Sequence, residues 1–221
     1  MAIAFDAVTK NSTIDTGTSY SFSHTCTGSN RLLVVSVNGN GTDTITGITY
    51  NSVAMTLVDK QATPTDRWNY TFYLLNPDTG AHNVTVTSSG AFTGSAATAH
   101  SYTGVKQSGQ PDSSAKNTAT AASDITVSTT TIADNCWLIG TCGTSYASVQ
   151  SGNAGTTIRG TDAGGVAAYD SNGLKTPAGS FSLSVHDSHG GGDNMALLTA
   201  SFAPYVAAAA TTSASFLFNF V

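Results

Sequence analysis

Arg67-Trp68-Asn69-Tyr70-Thr71-Phe72-Tyr73-Leu74-Leu75 carries Trp68, Tyr70, Phe72 and Leu74 at every second position. Side chains of a strand alternate between its two faces, so this spacing gathers the four on one side and predicts that this side is buried. A helix would scatter the same four around its axis. Asn76-Pro77-Asp78-Thr79-Gly80 follows at once, a turn opened by proline and closed by glycine. Strand then turn is the pattern that repeats along the rest of the chain.

Upstream, Asn51-Ser52 separates two strand candidates, 45–50 and 53–58, as a tight hairpin does. Arg31-Leu32-Leu33-Val34-Val35-Ser36-Val37 is nearly continuous in apolar character, as expected of a central strand covered on both faces, and Asn38-Gly39-Asn40-Gly41 reads as its turn. Strands are also expected over 2–8 and 18–25, where Tyr20 and Phe22 alternate with serines. Downstream, strands are expected over 83–87, 96–105, 125–127, 136–139, 180–185 and 195–202. Residues 106–122 are polar and small and read as a long surface loop, and 143–165 leaves room only for short strands. No internal repeat stands out.

Composition agrees with an all-β chain. Charged residues are 10% of the 221, every acidic one is Asp, and Thr, Ser, Asn and Gly fill the positions where helices place Glu and Lys. The expectation is an all-β, antiparallel, jelly-roll-like sandwich of about a dozen strands over residues 1–204. Residues 205–221 form an extended tail.

The net charge is −5, and the eight Lys and Arg are scattered singly, which argues against nucleic acid as a partner. Apolar runs fall far short of the roughly 20 residues of a membrane helix, so membrane insertion is not expected. No basic region followed by a long apolar stretch opens the chain, so no secretory signal is visible. Cys26, Cys136 and Cys142 are an odd set, read as buried free thiols, with a bond from Cys26 to either of the others left open.

The tail is the most unusual segment. After Pro204 come Tyr205-Val206, four alanines, Thr211-Thr212-Ser213-Ala214-Ser215, and then Phe216-Leu217-Phe218-Asn219-Phe220-Val221. Extended, the last stretch lines up Phe216, Phe218 and Phe220 on one side. So apolar a segment calls for cover, either on its own domain or on a neighbouring subunit by strand addition. Phe216, Leu217, Phe218, Phe220 and Val221 are therefore the candidate oligomer or partner contacts.

Motifs for chemistry are scarce. There is no nucleophile elbow, P-loop or H-E-x-x-H, and no Asp stands in a context that singles it out as a catalytic carboxylate. No catalytic residue and no cofactor is expected, and the chain reads as a non-enzyme. His186-Asp187-Ser188-His189-Gly190-Gly191-Gly192-Asp193 could supply metal ligands, but its spacing matches no established loop, so His186, Asp187, His189 and Asp193 are weak candidates and no metal is expected. Trp68 and Trp137 sit inside apolar strands and read as core. Tyr146 and Tyr169 lie in or near Gly-rich stretches and are the candidate glycan contacts.

The order of short motifs resembles a family of β-sandwich domains found in phage virion proteins and bacterial surface proteins. The matching stretches are Asn30-Arg31-Leu32-Leu33-Val34-Val35, Gly47-Ile48-Thr49-Tyr50 with Met55-Thr56-Leu57, Tyr73-Leu74-Leu75-Asn76-Pro77, residues 80–87, Ser101-Tyr102-Thr103-Gly104-Val105, and 195–204 as the closing strand. The resemblance implies a structural or adhesive role and transfers no catalytic residue. It departs in the tail after Pro204. Together these features predict a homo-oligomeric virion protein (capsid decoration, minor capsid or tail component) that touches a major capsid or tail protein through its C-terminal strand. The alternative is a glycan-binding adhesin or host-recognition module, extracellular or on a bacterial surface.

Overall fold

The computed structural model describes residues 1–11, 17–40, 44–65, 67–92, 94–146, 150–153, 155–162, 164–189 and 192–207. Their regular elements are strands only, and every pairing is antiparallel. The first nine are β1 (Ala4–Asn11), β2 (Gly17–Cys26), β3 (Leu32–Asn40), β4 (Ile45–Tyr50), β5 (Val53–Ala54), β6 (Thr56–Ala62), β7 (Arg67–Leu75), β8 (Gly80–Phe92) and β9 (Ser95–Thr103). They form one sheet in the order β1-β9-β3-β7-β6 and a second in the order β2-β8-β4-β5. Trp68, Tyr70, Phe72 and Leu74 all face the space between these sheets, as the period-two pattern requires, against Leu33, Val35, Tyr50, Val84 and Val86.

The remaining strands are β10 (Ser113–Ala122), β11 (Asp124–Thr130), β12 (Trp137–Thr144), β13 (Gln150–Gly152), β14 (Thr157–Asp162), β15 (Val166–Asp170), β16 (Ser180–Asp187) and β17 (Asp193–Phe202). Their sheets run β10-β17-β12-β15-β14 and β11-β16-β13. Strand for strand this repeats the first half, with β10 in the place of β1 and β17 in that of β9, and β5 without a counterpart among the described residues. Leu138, Tyr169, Leu183, Val185, Met195 and Leu197 fill the second sandwich.

The two five-stranded sheets also pack on each other, which makes the body four layers deep. Leu32, Val34 and Tyr102 of one sheet meet Trp137, Ile139, Ala200 and Phe202 of the other, with Tyr73 and Leu75 alongside. That explains why β3 is apolar on both faces. Away from this apolar zone the contact turns polar and is crossed by hydrogen bonds, although Asn38 Oδ1 has no partner among the described residues. Asn38 donates to the carbonyls of Thr144, Gly164 and Gly165, and Asn69 donates to Thr141 and the Ala196 carbonyl and accepts from Ser36. Thr71 and Thr141 hydroxyls bond at 2.6 Å. Gly143 allows the approach, since a Cβ there would lie 2.9 Å from that of Asn69.

A third element of the contact is ionic. Arg159 of β14 binds the fully buried Asp170 through two nitrogens at 2.7 and 3.0 Å, Asp170 accepts the Tyr102 hydroxyl at 2.8 Å, and the guanidinium lies over the Phe5 ring. Arg159 and Asp170 belong to the second half, Tyr102 and Phe5 to the first.

The structure corrects several expectations. Among the described residues seventeen strands replace about a dozen, and the single sandwich becomes two stacked ones with the same strand order. Residues 106–122 are not all loop: β10 pairs along β17 from Ser113↔Ser201 to Ala122↔Asp193. Its small residues carry no strand signal of their own, and the neighbour makes the strand. Val166–Asp170 is a further buried strand. All three cysteines are buried free thiols.

Candidate functional site

One end of the body collects the loops before β3 and β12, the start of β16, the Met1 segment and the chain leaving β17. Asn30 and Asn135 take positive φ (51° and 61°) just ahead of the two central strands, and Asn76 and Asn172 do so (49° and 44°) in the loops after β7 and β15. Asparagine tolerates the left-handed region better than most residues, so the same device turns the chain in both halves. The Arg31 guanidinium donates to Asn76, to the Pro77 carbonyl and to that of Gly28, fixing this end of the first sandwich.

Residues 203–205 then run across the end. Lys106 donates its N–H to the Ala203 carbonyl, Tyr205 donates to the Gly104 carbonyl, and the Met1 amino group donates to Tyr205 at 2.9 Å. The segment makes a ridge between two cavities. One, of about 500 Å³, is walled by Lys106, Gln107, Ala133, Asp134 and Tyr205. The other, of about 360 Å³, lies between Met1, Asn135, Leu174, Tyr205, Val206 and Ala207.

Exposed apolar bulk concentrates here. Among the described residues the large hydrophobic side chains left most open are Val206 (79%), Ile132 (70%) and Met1 (66%), with Leu174 and Tyr205 beside them. By contrast the outward faces of β2, β8, β11 and β16 carry Ser and Thr pairs, such as Ser21 with Thr85 and Ser128 with Ser182. None of these apolar residues was singled out from sequence, because a lone Met, Ile or Leu in a loop carries no periodic signal. The predicted contacts Phe216, Leu217, Phe218, Phe220 and Val221 lie outside the described residues.

The opposite end of the second sandwich holds the other candidates. Tyr146 is 55% exposed and stacks flat on His189, with ring centroids 4.6 Å apart and planes within 4°. Beneath it Asp193 accepts the N–H groups of Ser145 and Tyr146 and lies near Asp187; both carboxyls are buried. Burial, and then the neighbouring Asp187 charge, push the Asp193 pKa upward. Burial and these carboxylates also push the Cys142 thiol far up, so it is a core thiol and no nucleophile.

Tyr169 is a correction. It is fully buried in the second core, its hydroxyl bonded to the Leu198 carbonyl and to Thr199, so it offers no face to a glycan. Its strand is covered on both sides, and the surrounding glycines misread as loop. The metal candidates separate as well. His186 turns to the outer face, where it pairs with Asp124 at 3.1 Å, while Asp187 and Asp193 turn inward. Among the described residues no group of three or more metal-ligating side chains comes together.

No protein-family model matches the chain, and neither does a curated protein or a solved structure.

Proposed function

We propose that the protein is a non-enzymatic structural building block of a phage virion, a capsid decoration, minor capsid or tail component, attached through one end. The observation that carries this reading is the concentration of exposed apolar side chains: Met1, Ile132, Leu174, Tyr205 and Val206 share the end from which the tail leaves, against Val53, Leu57 and Tyr146 elsewhere among the described residues, while the outer strand faces are hydroxyl-rich. A stiff polar brick with one apolar end suits attachment better than turnover, which calls for a concave pocket with convergent polar groups. The strand orders support the jelly-roll form of the sandwich. In each half the first strand lies beside the last in one sheet, and the second beside the next-to-last in the other.

The test is quantitative mass spectrometry of purified particles and of cell-envelope fractions from the source culture. Copy numbers comparable to the major capsid protein support decoration, and a handful per particle supports a tail role. Absence from particles with enrichment in the envelope removes the virion reading. A second reading, glycan recognition, rests on Tyr146 alone, whose open ring is braced by His189. It predicts sugar binding that Tyr146→Ala abolishes, and a silent glycan array at high protein concentration would end it.

A further inference from the structure

We propose that the cavity between Met1, Leu174 and Val206 is the acceptor for the Phe216–Val221 segment of a second copy of this chain, and that the exchange is reciprocal and closes at a dimer. This rests on the reading of the protein as a self-associating structural unit.

Apart from Asn135 the cavity is lined mainly by apolar side chains, three of which, Met1, Leu174 and Val206, are exposed to water, and the ridge at its edge continues directly into the tail. The segment is already used as a partner for strand-like pairing just before it, where Pro204 bridges Val105 and Tyr205 donates to the Gly104 carbonyl. The chain beyond Ala207 supplies a matching donor. Phe216, Phe218 and Phe220 repeat at period two, and an extended strand sets such side chains roughly 7 Å apart along one face.

The spacing between donor and acceptor selects the neighbour as occupant. Residues 208–215 are all Ala, Thr or Ser and separate the cavity wall from Phe216. Hairpins that turn back onto the same ridge most commonly use a loop of about 2 to 5 residues. Eight extended residues instead reach roughly 27 Å, enough to cross to a facing molecule. Donor and acceptor leave from the same end of the body. Two copies meeting end to end therefore each give and receive one segment, and no acceptor is left for a third, so the contact is isologous and does not propagate into filaments.

The test is native mass spectrometry and light scattering on the full chain and on Leu174→Asp and Phe218→Asp, with circular dichroism to verify folding. Leu174 is already 46% exposed, so its replacement leaves the cores intact. The full chain is expected to be dimeric, and each variant to dimerise more than roughly tenfold more weakly. Mixing the two variants restores one intact contact per pair and so yields heterodimers of the two. A monomeric full chain whose loss of residues 216–221 makes it aggregate would assign the cavity to the chain's own tail and overturn the proposal. Growth into long polymers, or a Leu174→Asp protein as dimeric as the parent, would overturn it too. A dimer absent from particles would remove the virion reading and leave this assignment standing.

Discussion

The two sandwiches share a strand order but not a filling. Between its sheets the first packs Tyr20, Tyr50, Tyr70, Phe72 and Phe92, whereas among the described residues the second has one fully buried ring, Tyr169, set among alanines and Cys142. Glycine at 140 makes room for that ring, since a Cβ there would come within 2.5 Å of the tyrosine. The halves also bury opposite kinds of ionisable group. The first hides two imidazoles, His24 and His100, and the second hides the carboxyl pair Asp187–Asp193. Connectivity is thus compatible with very different interiors, and the thinner apolar core makes the second half the more dependent on the contact between the halves.

Asp170→Ala is the strongest way to break that dependence. It strands the Arg159 cation in a mostly buried site and leaves the Tyr102 hydroxyl without its acceptor. Removing one partner of a buried pair costs about 3–5 kcal/mol. Hydrogen exchange followed by mass spectrometry should show amides of β12, β15 and β17 losing protection before those of β3 and β7. Equal loss in both halves would mean that they unfold only together.

Acid should instead strike the first half. Burial holds His24 at a pKa of about 4, against the opposing pull of Asp6, and His100 at about 3, with His24 and Arg159 adding to the depression. Among the described residues both ring nitrogens of His100, and Nε2 of His24, lack hydrogen-bond partners, so neither ring has a ready way to accept a charge. A folded pKa below the unfolded value of about 6.5 means that protons bind the unfolded chain first. Stability is therefore complete above about pH 6.5 and falls as pH drops toward the folded values, by about 2 kcal/mol per histidine at pH 5. Denaturant midpoints across pH 5–7.5 should show this slope, and His100→Phe should remove about half of it.

Gly143→Ala probes the polar part of the contact with a smaller effect. The new methyl would meet Asn69 Cβ at 2.9 Å and Asn38 Oδ1 at 3.0 Å, both held by hydrogen bonds into the second half. Overpacking of this kind costs about 1–3 kcal/mol. An unchanged denaturation midpoint would show that the two sheets can slide apart by a few tenths of an ångström without loss.

These contrasts mark how far the sequence could be read. Alternating aromatics located β7 to the residue, and Phe181, Leu183 and Val185 located the buried side of β16, because period two with bulky side chains has few other readings. The duplication was illegible. Equivalent positions hold Val35 and Gly140, or Tyr73 and Asp170, and only the left-handed asparagines and strand spacing recur. Asn69 looks solvent-facing beside Trp68 and Tyr70, yet the face it occupies is covered by the second sandwich. Polar residues buried at a sheet–sheet contact look like surface residues until the covering sheet is known. The apolar end was not legible, since Met1, Leu174 and Val206 meet only in three dimensions.

Asp187→Asn completes the comparison with the smallest change. The Asp193 carboxyl is desolvated and faces Asp187, with the Cys142 thiol behind and His189 and Tyr146 above, so its pKa lies above the unfolded value. A raised carboxyl pKa contributes stability that is present below the unfolded value of about 3.8 and is lost as pH rises through the folded one. At neutral pH the pair therefore weakens the second half, the reverse of the histidines' effect on the first. Asparagine removes one charge, keeps an oxygen for the His189 N–H, and can donate an amide hydrogen to Asp193 from the place of the unpartnered Asp187 Oδ2. The variant should gain stability at pH 7–8 and little at pH 4, with the gain confined to amides of β16 and β17 in hydrogen exchange. A loss of stability at neutral pH would mean that the second carboxylate is stabilised by something other than its neighbour's proton, and would return this end of the molecule to consideration as a cation site.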